Sequence, residues 1–254
     1  MAKKLRIRDK LLLGLALSAD IILPATLRAM RGLPPQSLSL WGPPAYKKEN
    51  FYSLASRLVK TNFIEKIIKD GQPYLRLSNQ GRIRLNRDFP LLLMQQKGWD
   101  GQWRIVIFDI SEASRYIRDV LREKLKSLGF GKLQQSVYIS PYDFEQDLAE
   151  FLESHHLLGK AFVLTAKHRL MGDAQTLANY VWKLDKINGE YQEILDKLEK
   201  LKLPKAAEEK TALIQQLRIE YFDLLLKDPL LPKELLPDDW LGFSVRRVIS
   251  NIST

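Results

Sequence analysis

Between Trp103 and Ala166 the hydrophobic period changes repeatedly, and this constrains the fold more than any other feature of the 254-residue chain. Arg104-Ile-Val-Ile-Phe-Asp-Ile110 is a nearly continuous apolar run of strand length, interrupted only by an acid near its end. Over residues 112–128 the spacing becomes helical. Ile117, Leu121, Leu125 and Leu128 form an apolar stripe, and Arg115, Arg118, Arg122 and Lys126 form a basic one. Glu112, Asp119 and Glu123 interleave with the basic stripe, which marks it as an ion-paired, solvated face, and Gly129 supplies the stop. Leu133–Ser140 reads as strand or hairpin closed by Pro141, residues 143–158 as a second helix, and Ala161–Ala166 as a further strand. Strand, helix, strand or hairpin, helix, strand is the outline of a ferredoxin-like α/β sandwich.

The chain before this module reads differently. Leu12, Leu15, Ala16, Ala19, Ile22 and Leu23 recur at helical spacing and predict one buried amphipathic helix over residues 8–30, ended by Gly32, Pro34 and Pro35. The basic start followed by the apolar run Leu11–Ala19 has the look of a signal peptide. Asp9 interrupts the basic part, however, and the run is too short to span a bilayer. A cytoplasmic protein with no membrane partner is therefore expected. After a turn-rich connection containing Trp41-Gly-Pro-Pro44, Asn50 is expected to cap a short helix over residues 51–61, with Leu54 and Leu58 inward. Phe63–Lys69 and Gln72–Leu77 flank Asp70-Gly71, a strong hairpin signal. Helix, helix, hairpin is the outline of a winged helix, with residues 51–61 entering the major groove and the hairpin as wing. Arg57, Lys60, Lys66, Lys69 and Arg76 are then the candidate DNA contacts. Residues 82–98 read as a connector.

Beyond the middle third, residues 173–200 and 206–227 predict two long amphipathic helices. A proline-interrupted tail over Lys227–Gly242 should dock through Leu230, Leu235 and Trp240, and a last helix should run over 243–249. The expected fold class is α+β: a basic winged-helix-like domain at 1–96, a ferredoxin-like domain at 97–170 and a C-terminal helical domain at 171–254.

Charge decides what such a chain meets. The formal net charge is +10, but residues 1–96 carry +11 and residues 97–254 carry −1. A basic module on a neutral body suggests a polyanion, and double-stranded DNA fits the winged-helix outline, so DNA affinity is expected to reside in residues 1–96. There is no cysteine, so disulfides, cysteine-ligated metals and a thiol nucleophile are excluded. His155, His156 and His168 are the only imidazoles. The first two are expected at a helix end, since no cysteine or acidic pair lies at ligand spacing from them. Trp99 and Trp103 read as packing anchors. No phosphate loop, nucleophile elbow or dinucleotide fingerprint is present. No cofactor is expected from the residues themselves.

One stretch resembles a known family. Trp103-Arg-Ile-Val-Ile-Phe-Asp-Ile110, Arg118-Asp119, Leu121-Arg122, Leu128-Gly-Phe130, Ser136-Val-Tyr-Ile139 and Pro141-Tyr-Asp143 resemble the central domain of the PaaX-like transcriptional repressors, which are named for regulating phenylacetate catabolism. Asp228-Pro-Leu-Leu-Pro-Lys-Glu-Leu-Leu-Pro-Asp-Asp-Trp-Leu-Gly242 looks like that family's C-terminal domain. The resemblance implies a dimeric DNA-binding repressor. It also implies a small-molecule effector, an aryl-acetyl coenzyme A thioester in the name-giving members. The central domain is also similar to the small CRISPR-associated nuclease of spacer acquisition, a dimeric ferredoxin-like enzyme with an Asp at the end of its first strand. The matching position is Asp109, which gives the alternative function: a metal-dependent nuclease with magnesium on that carboxylate. From its place before the next helix, Asp109 is expected instead to satisfy the helix entrance and pair with Arg115 or Arg118.

Overall fold

The computed structural model describes residues 6–18, 21–22, 48–69, 72–167, 172–202 and 206–251. The chain forms two compact units. One comprises 1–89, 187–227 and 240–254, and the other 90–186 and 228–239. The segment 171–254 thus contributes to both.

The first unit opens with α1, Ile7–Ser18, followed by a short strand β1, Ile21–Ile22. The single helix expected over 8–30 therefore stops at Ser18. Ile21 and Ile22 instead pair antiparallel with Leu75 and Tyr74. A β-branched pair at an available sheet edge gains more from strand pairing than from continuing a helix. Leu11, Leu12, Leu13 and Leu15 are all buried, so α1 is covered nearly all round and not amphipathic as expected. Its two charged residues inside the core are paired: Asp9 accepts from Arg8 at 2.8 Å, and Lys10 lies 3.8 Å from Asp223. Among the described residues no helix is long and apolar enough to cross a membrane. The punctuation expected at Gly32–Pro35 and the Trp41–Pro44 connection lie outside the described residues.

Next comes α2, Lys48–Lys60, which buries Leu54, Ala55 and Leu58. Asn50 lies inside its first turn and is not the expected cap, because the helix begins two residues earlier. Strands β2, Ile64–Lys69, and β3, Gln72–Leu77, pair antiparallel from Ile64↔Leu77 to Lys69↔Gln72, as the hairpin signal predicts. Asp70 and Gly71 themselves lie outside the described residues. The sheet order is β1-β3-β2. The expected connector at 82–98 is in fact largely helical. Helix α3, Asn79–Asp88, starts at an N-cap on Ser78, whose side chain accepts the Gly81 N–H. Only Gly81 and Leu85 of α3 are buried, too few to leave a hydrophobic period in the sequence.

The second unit begins with the short α4, Leu91–Met94. It then follows the expected alternation through β4, Gln102–Phe108; α5, Arg115–Ser127; β5, Gly131–Gln134; β6, Val137–Ser140; α6, Glu145–Ser154; and β7, Ala161–Lys167. The stretch Leu133–Ser140 is resolved as the hairpin alternative, with a register shift between Lys132 and Gln134. All pairings in the four-stranded sheet are antiparallel, in the order β5-β6-β4-β7. One face packs Val106, Phe108 and Tyr138 against Leu121 and Leu125 of α5 and Leu148 and Leu152 of α6. The alternate residues of β4 and β7 point away from that core.

The helix expected over 173–200 is broken. Helix α7, Ala174–Trp182, ends at Lys183, which adopts a left-handed φ of 58°. Helix α8, Leu184–Glu199, then starts afresh. The break is pinned by Asn179, whose amide donates to Asp185 at 2.6 Å and accepts the Asp185 N–H at 3.1 Å. Trp182 also stacks on Trp103 with centroids 6.3 Å apart, and Gly131 leaves no room for a Cβ beside Val181. Tertiary packing thus sets the break. Helices α9, Ala207–Leu225, and α10, Gly242–Asn251, follow. Of the tail residues, Leu230 and Leu235 are buried in the second unit, where Asp228 accepts the Leu230 N–H at 2.7 Å and the Tyr142 hydroxyl donates to the Leu230 carbonyl. Trp240 belongs to the first unit and meets the ring of Tyr191 edge-on at 5.5 Å.

Candidate nucleic-acid interface

The amphipathicity of α2 decides what it can present. With Leu54, Ala55 and Leu58 inward, Asn50, Ser53, Arg57 and Lys60 are exposed. Their spacing of three or four residues makes one continuous stripe. Arg, Asn and Ser side chains carry the donors and acceptors that match base edges, and Lys carries a charge suited to phosphate. Arg57 and Lys60 are the two residues of this stripe that the sequence names as candidates. Asn50 and Ser53 are not, because the cap role expected of Asn50 removes it from the helix face.

The hairpin contributes less than its sequence promises. Lys66 is exposed on β2. Arg76 sits opposite Glu65 in the ladder and donates to its carboxylate at 2.6 Å, so its charge is locally compensated. The backbone of Lys69 closes the ladder against Gln72, while its side chain lies outside the described residues. Ser78 ties the hairpin to α2: its hydroxyl donates to the carbonyl of Asn62, just past the end of that helix.

In the second unit Asp109 follows the last residue of β4 and is exposed. Its backbone N–H donates to the Lys160 carbonyl at 2.9 Å. The expected pairing with Arg115 or Arg118 does not form. Arg118 instead donates to Glu112 at 2.7 Å, and Arg115 lies 3.8 Å from Asp119. Those partners are nearer along the helix and hold the guanidiniums on the helix surface. Arg118 also holds the Glu112 carboxyl below its ordinary range. Arg122 and Lys126 pair with Asp119 and Glu123 at 3.2 and 3.0 Å, so the basic stripe of α5 is the ion-paired face its acidic neighbours imply, but only Arg115 and Lys126 are solvated while Arg118 and Arg122 lie half-buried along the helix. No three His, Cys, Asp or Glu side chains gather around a common point among the described residues. One exposed carboxylate is too few donors to hold magnesium, so the metal implied at Asp109 does not fit the residues of a single chain.

The remaining sequence candidates are packing elements. Trp103 is buried between Trp99, at 5.1 Å, and Trp182. His155 ends α6, stacks on Phe151 at 4.1 Å and places Nδ1 2.9 Å from the Phe151 carbonyl. His168 lies outside the described residues. A polar centre that the sequence hides is Arg104. Its guanidinium is buried, donates to Asp100 at 2.9 Å and lies 3.7 Å from Asp143. It holds the Asp100 carboxyl below its ordinary value. An arginine inside a strand pattern carries no mark of its partners, which here sit on two separate turns.

The outer face of the four-stranded sheet is unusual in a different way. Ile107, Phe162 and Leu164 point outward and are 39%, 57% and 48% exposed. Ile107 faces Phe162 and Ile105 faces Leu164 across the β4–β7 ladder, so the exposed apolar groups adjoin.

The chain is similar to known proteins. The PaaX protein central Cas2-like domain matches residues 96–178, and the PaaX-like protein C-terminal domain matches residues 182–254. The chain is 29% identical over 208 residues to the transcriptional repressor PaaX of Escherichia coli (strain K12), covering 77% of this chain. It spans 65% of that repressor's length, slightly under two thirds. An uncharacterized protein of Mycobacterium tuberculosis, Rv0674, shares the fold with a TM-score of 0.52 at 22% identity, over 84% of this chain and 82% of its own. The two domain matches follow one another in the order of a single family and together take in well over half of the residues, so the chain belongs to the PaaX-like family.

Proposed function

We propose that this protein is a DNA-binding transcriptional regulator, a repressor that acts as a dimer, and that residues 1–96, 97–170 and 171–254 are its DNA-binding, ferredoxin-like and helical segments. The observation that carries this reading is the α2 stripe. Asn50, Ser53, Arg57 and Lys60 are exposed on one face of a helix that precedes a β-hairpin, in the part of the chain holding the whole basic excess. The winged-helix reading is supported by the order helix, short strand, helix, hairpin and by the pairing of β1 with β3. In it α2 enters the major groove and the hairpin is the wing, with Lys66 toward phosphates and Lys69 a further candidate from the sequence. The ferredoxin-like reading is supported by the βαββαβ succession with strand order β5-β6-β4-β7. The name of the Escherichia coli relative points the same way. An effector of the coenzyme A thioester class and a place in the cytoplasm belong to this reading.

Replacing Arg57 and Lys60 together by Gln in the full chain is expected to lower affinity for duplex DNA about tenfold or more at moderate salt. The slope of log affinity against log salt should shrink by up to about 1.8, roughly 0.9 for each phosphate no longer neutralised. Unchanged binding by fluorescence anisotropy would remove α2 from the interface.

The dimer is assigned to the outward apolar group Ile107, Phe162 and Leu164. Phe162→Asp with Leu164→Asp puts two charges on exposed positions, where the folded monomer loses little. Light scattering of the full chain should then fall from twice the chain mass to once. A double variant that stays dimeric places the two-fold elsewhere.

A further inference from the structure

Exposed basic residues of the first unit also occur past the hairpin, on a helix that the sequence hides. In α3, Gly81 and Leu85 face inward, and Asn79, Gln80, Arg82, Ile83 and Arg87 are exposed. Ile83 is 67% exposed, an aliphatic group set between two arginines. Acids are scarce here. Asp88 alone receives Arg84 at 2.8 Å, Arg87 at 3.5 Å and Arg8 at 4.0 Å. Asp9 shares in Arg8 at 2.8 Å, and Arg82 has no acidic partner among the described residues. Two carboxylates against four guanidiniums leave this surface strongly positive.

The position of α3 relative to α2 is fixed by backbone contacts. The Ser78 N–H donates to the Phe63 carbonyl at 3.2 Å, and the Ser78 hydroxyl bridges the Asn62 carbonyl and the Gly81 N–H. Gly81 lies so close to Phe63 that the helix cannot slide. The exposed cations of α3 therefore start at the turn where the α2 stripe ends, in one rigid unit.

We propose that α3 is a second DNA-contact element, which engages the phosphates of duplex flanking the stretch met by α2. Arg82 and Arg87 supply the charge, and Ile83 packs against the sugar edge. These contacts read no sequence and lengthen the footprint. The occupant is a polyanion and not a second copy, because pairing two such faces would bring like charges together around one aliphatic residue, far less than a stable interface buries. The inference rests on the proposed DNA-binding reading for the nature of the ligand, but not for the role of α2.

The test titrates full-length protein against a labelled duplex of random sequence at several salt concentrations. Arg82→Gln with Arg87→Gln should lower affinity about tenfold at roughly 0.1 M salt and reduce the salt slope by about 1.8, with thermal melting unchanged. Arg82→Lys with Arg87→Lys should keep the slope, since charge and not shape is what the phosphates meet. An Arg82→Gln, Arg87→Gln protein that binds as wild type does, while Arg57→Gln with Lys60→Gln weakens binding, overturns the role of α3 and leaves that of α2. The reverse pattern removes α2 and keeps α3. If neither pair changes binding, both fall. Loss of binding to anionic phospholipid vesicles with duplex affinity intact would assign the face to a membrane surface and also overturn the proposal.

Discussion

Replacing Gly81 by alanine is expected to destabilise the first unit by about 3 kcal/mol or more, the range reserved for steric conflicts that cannot relax. The sign is the opposite of what helix propensity suggests. Gly81 lies inside α3, and in an open helix Gly→Ala gains roughly 0.5–1 kcal/mol. Here a Cβ would sit 1.9 Å from the Phe63 carbonyl oxygen and 3.0 Å from its carbon, with Leu77 Cδ2 at 3.1 Å. The first two are backbone atoms. The Phe63 carbonyl also accepts from Ser78 N–H, so moving it breaks the link between α2 and α3. Gly189 is the internal control. It lies in α8, and a Cβ there would meet nothing within 4 Å. Gly189→Ala should stabilise the same unit by about 0.5–1 kcal/mol. Thermal or urea unfolding followed through helix signal and hydrogen exchange separates the two. A Gly81→Ala protein as stable as wild type would mean that the close approach of α3 to Phe63 does not exist in solution.

The second large effect concerns how far the basic segment is a domain of its own. Ile249→Asp, in the last helix, should abolish cooperative folding of the hairpin and of α1, which lie far away in sequence. Val245 and Ile249 of α10 are fully buried, and α10 packs against α1, whose Leu11, Leu12, Leu13 and Leu15 are themselves buried. Burying an unpaired carboxylate there costs more than about 4 kcal/mol, comparable with the whole stability of a small domain. Amide exchange should lose protection in α1, β2 and β3 while β4 and β7 of the second unit keep theirs, since those strands fold around a separate core. For the same reason residues 1–96 expressed alone should show no cooperative transition, although they hold the entire basic excess. DNA binding is therefore to be measured on the full chain. Retained protection in α1 and the hairpin of Ile249→Asp would show that the N-terminal segment folds alone.

Elements whose signal is local are legible in the sequence. The apolar run of β4, the 3.6-residue stripe of α5, the final strand β7 and the two strands around Asp70-Gly71 stand close to where periodicity puts them. Each carries its hydrophobic period or turn residues within about ten positions, and that period alone fixes which side chains share a face. The charge split between the N-terminal third and the rest is likewise a property of composition, as are the candidate contacts Arg57, Lys60 and Lys66. Partners decide the remainder. Ile21 and Ile22 leave their helical pattern because β3 offers an edge. Helix α3 has almost no apolar period and is held by Ser78 and by a glycine pressed on Phe63. Lys183 breaks a continuous helical pattern because Trp182 stacks on Trp103. Arg76 is withdrawn from the candidate interface by Glu65 across the ladder, and the arginines expected beside Asp109 turn to closer acids, Glu112 and Asp119. Periodicity records whether a residue faces inward. It holds no record of which distant residue it will meet, and that choice, made only when the chain closes on itself, settles pairing, helix ends and which charges remain for a ligand.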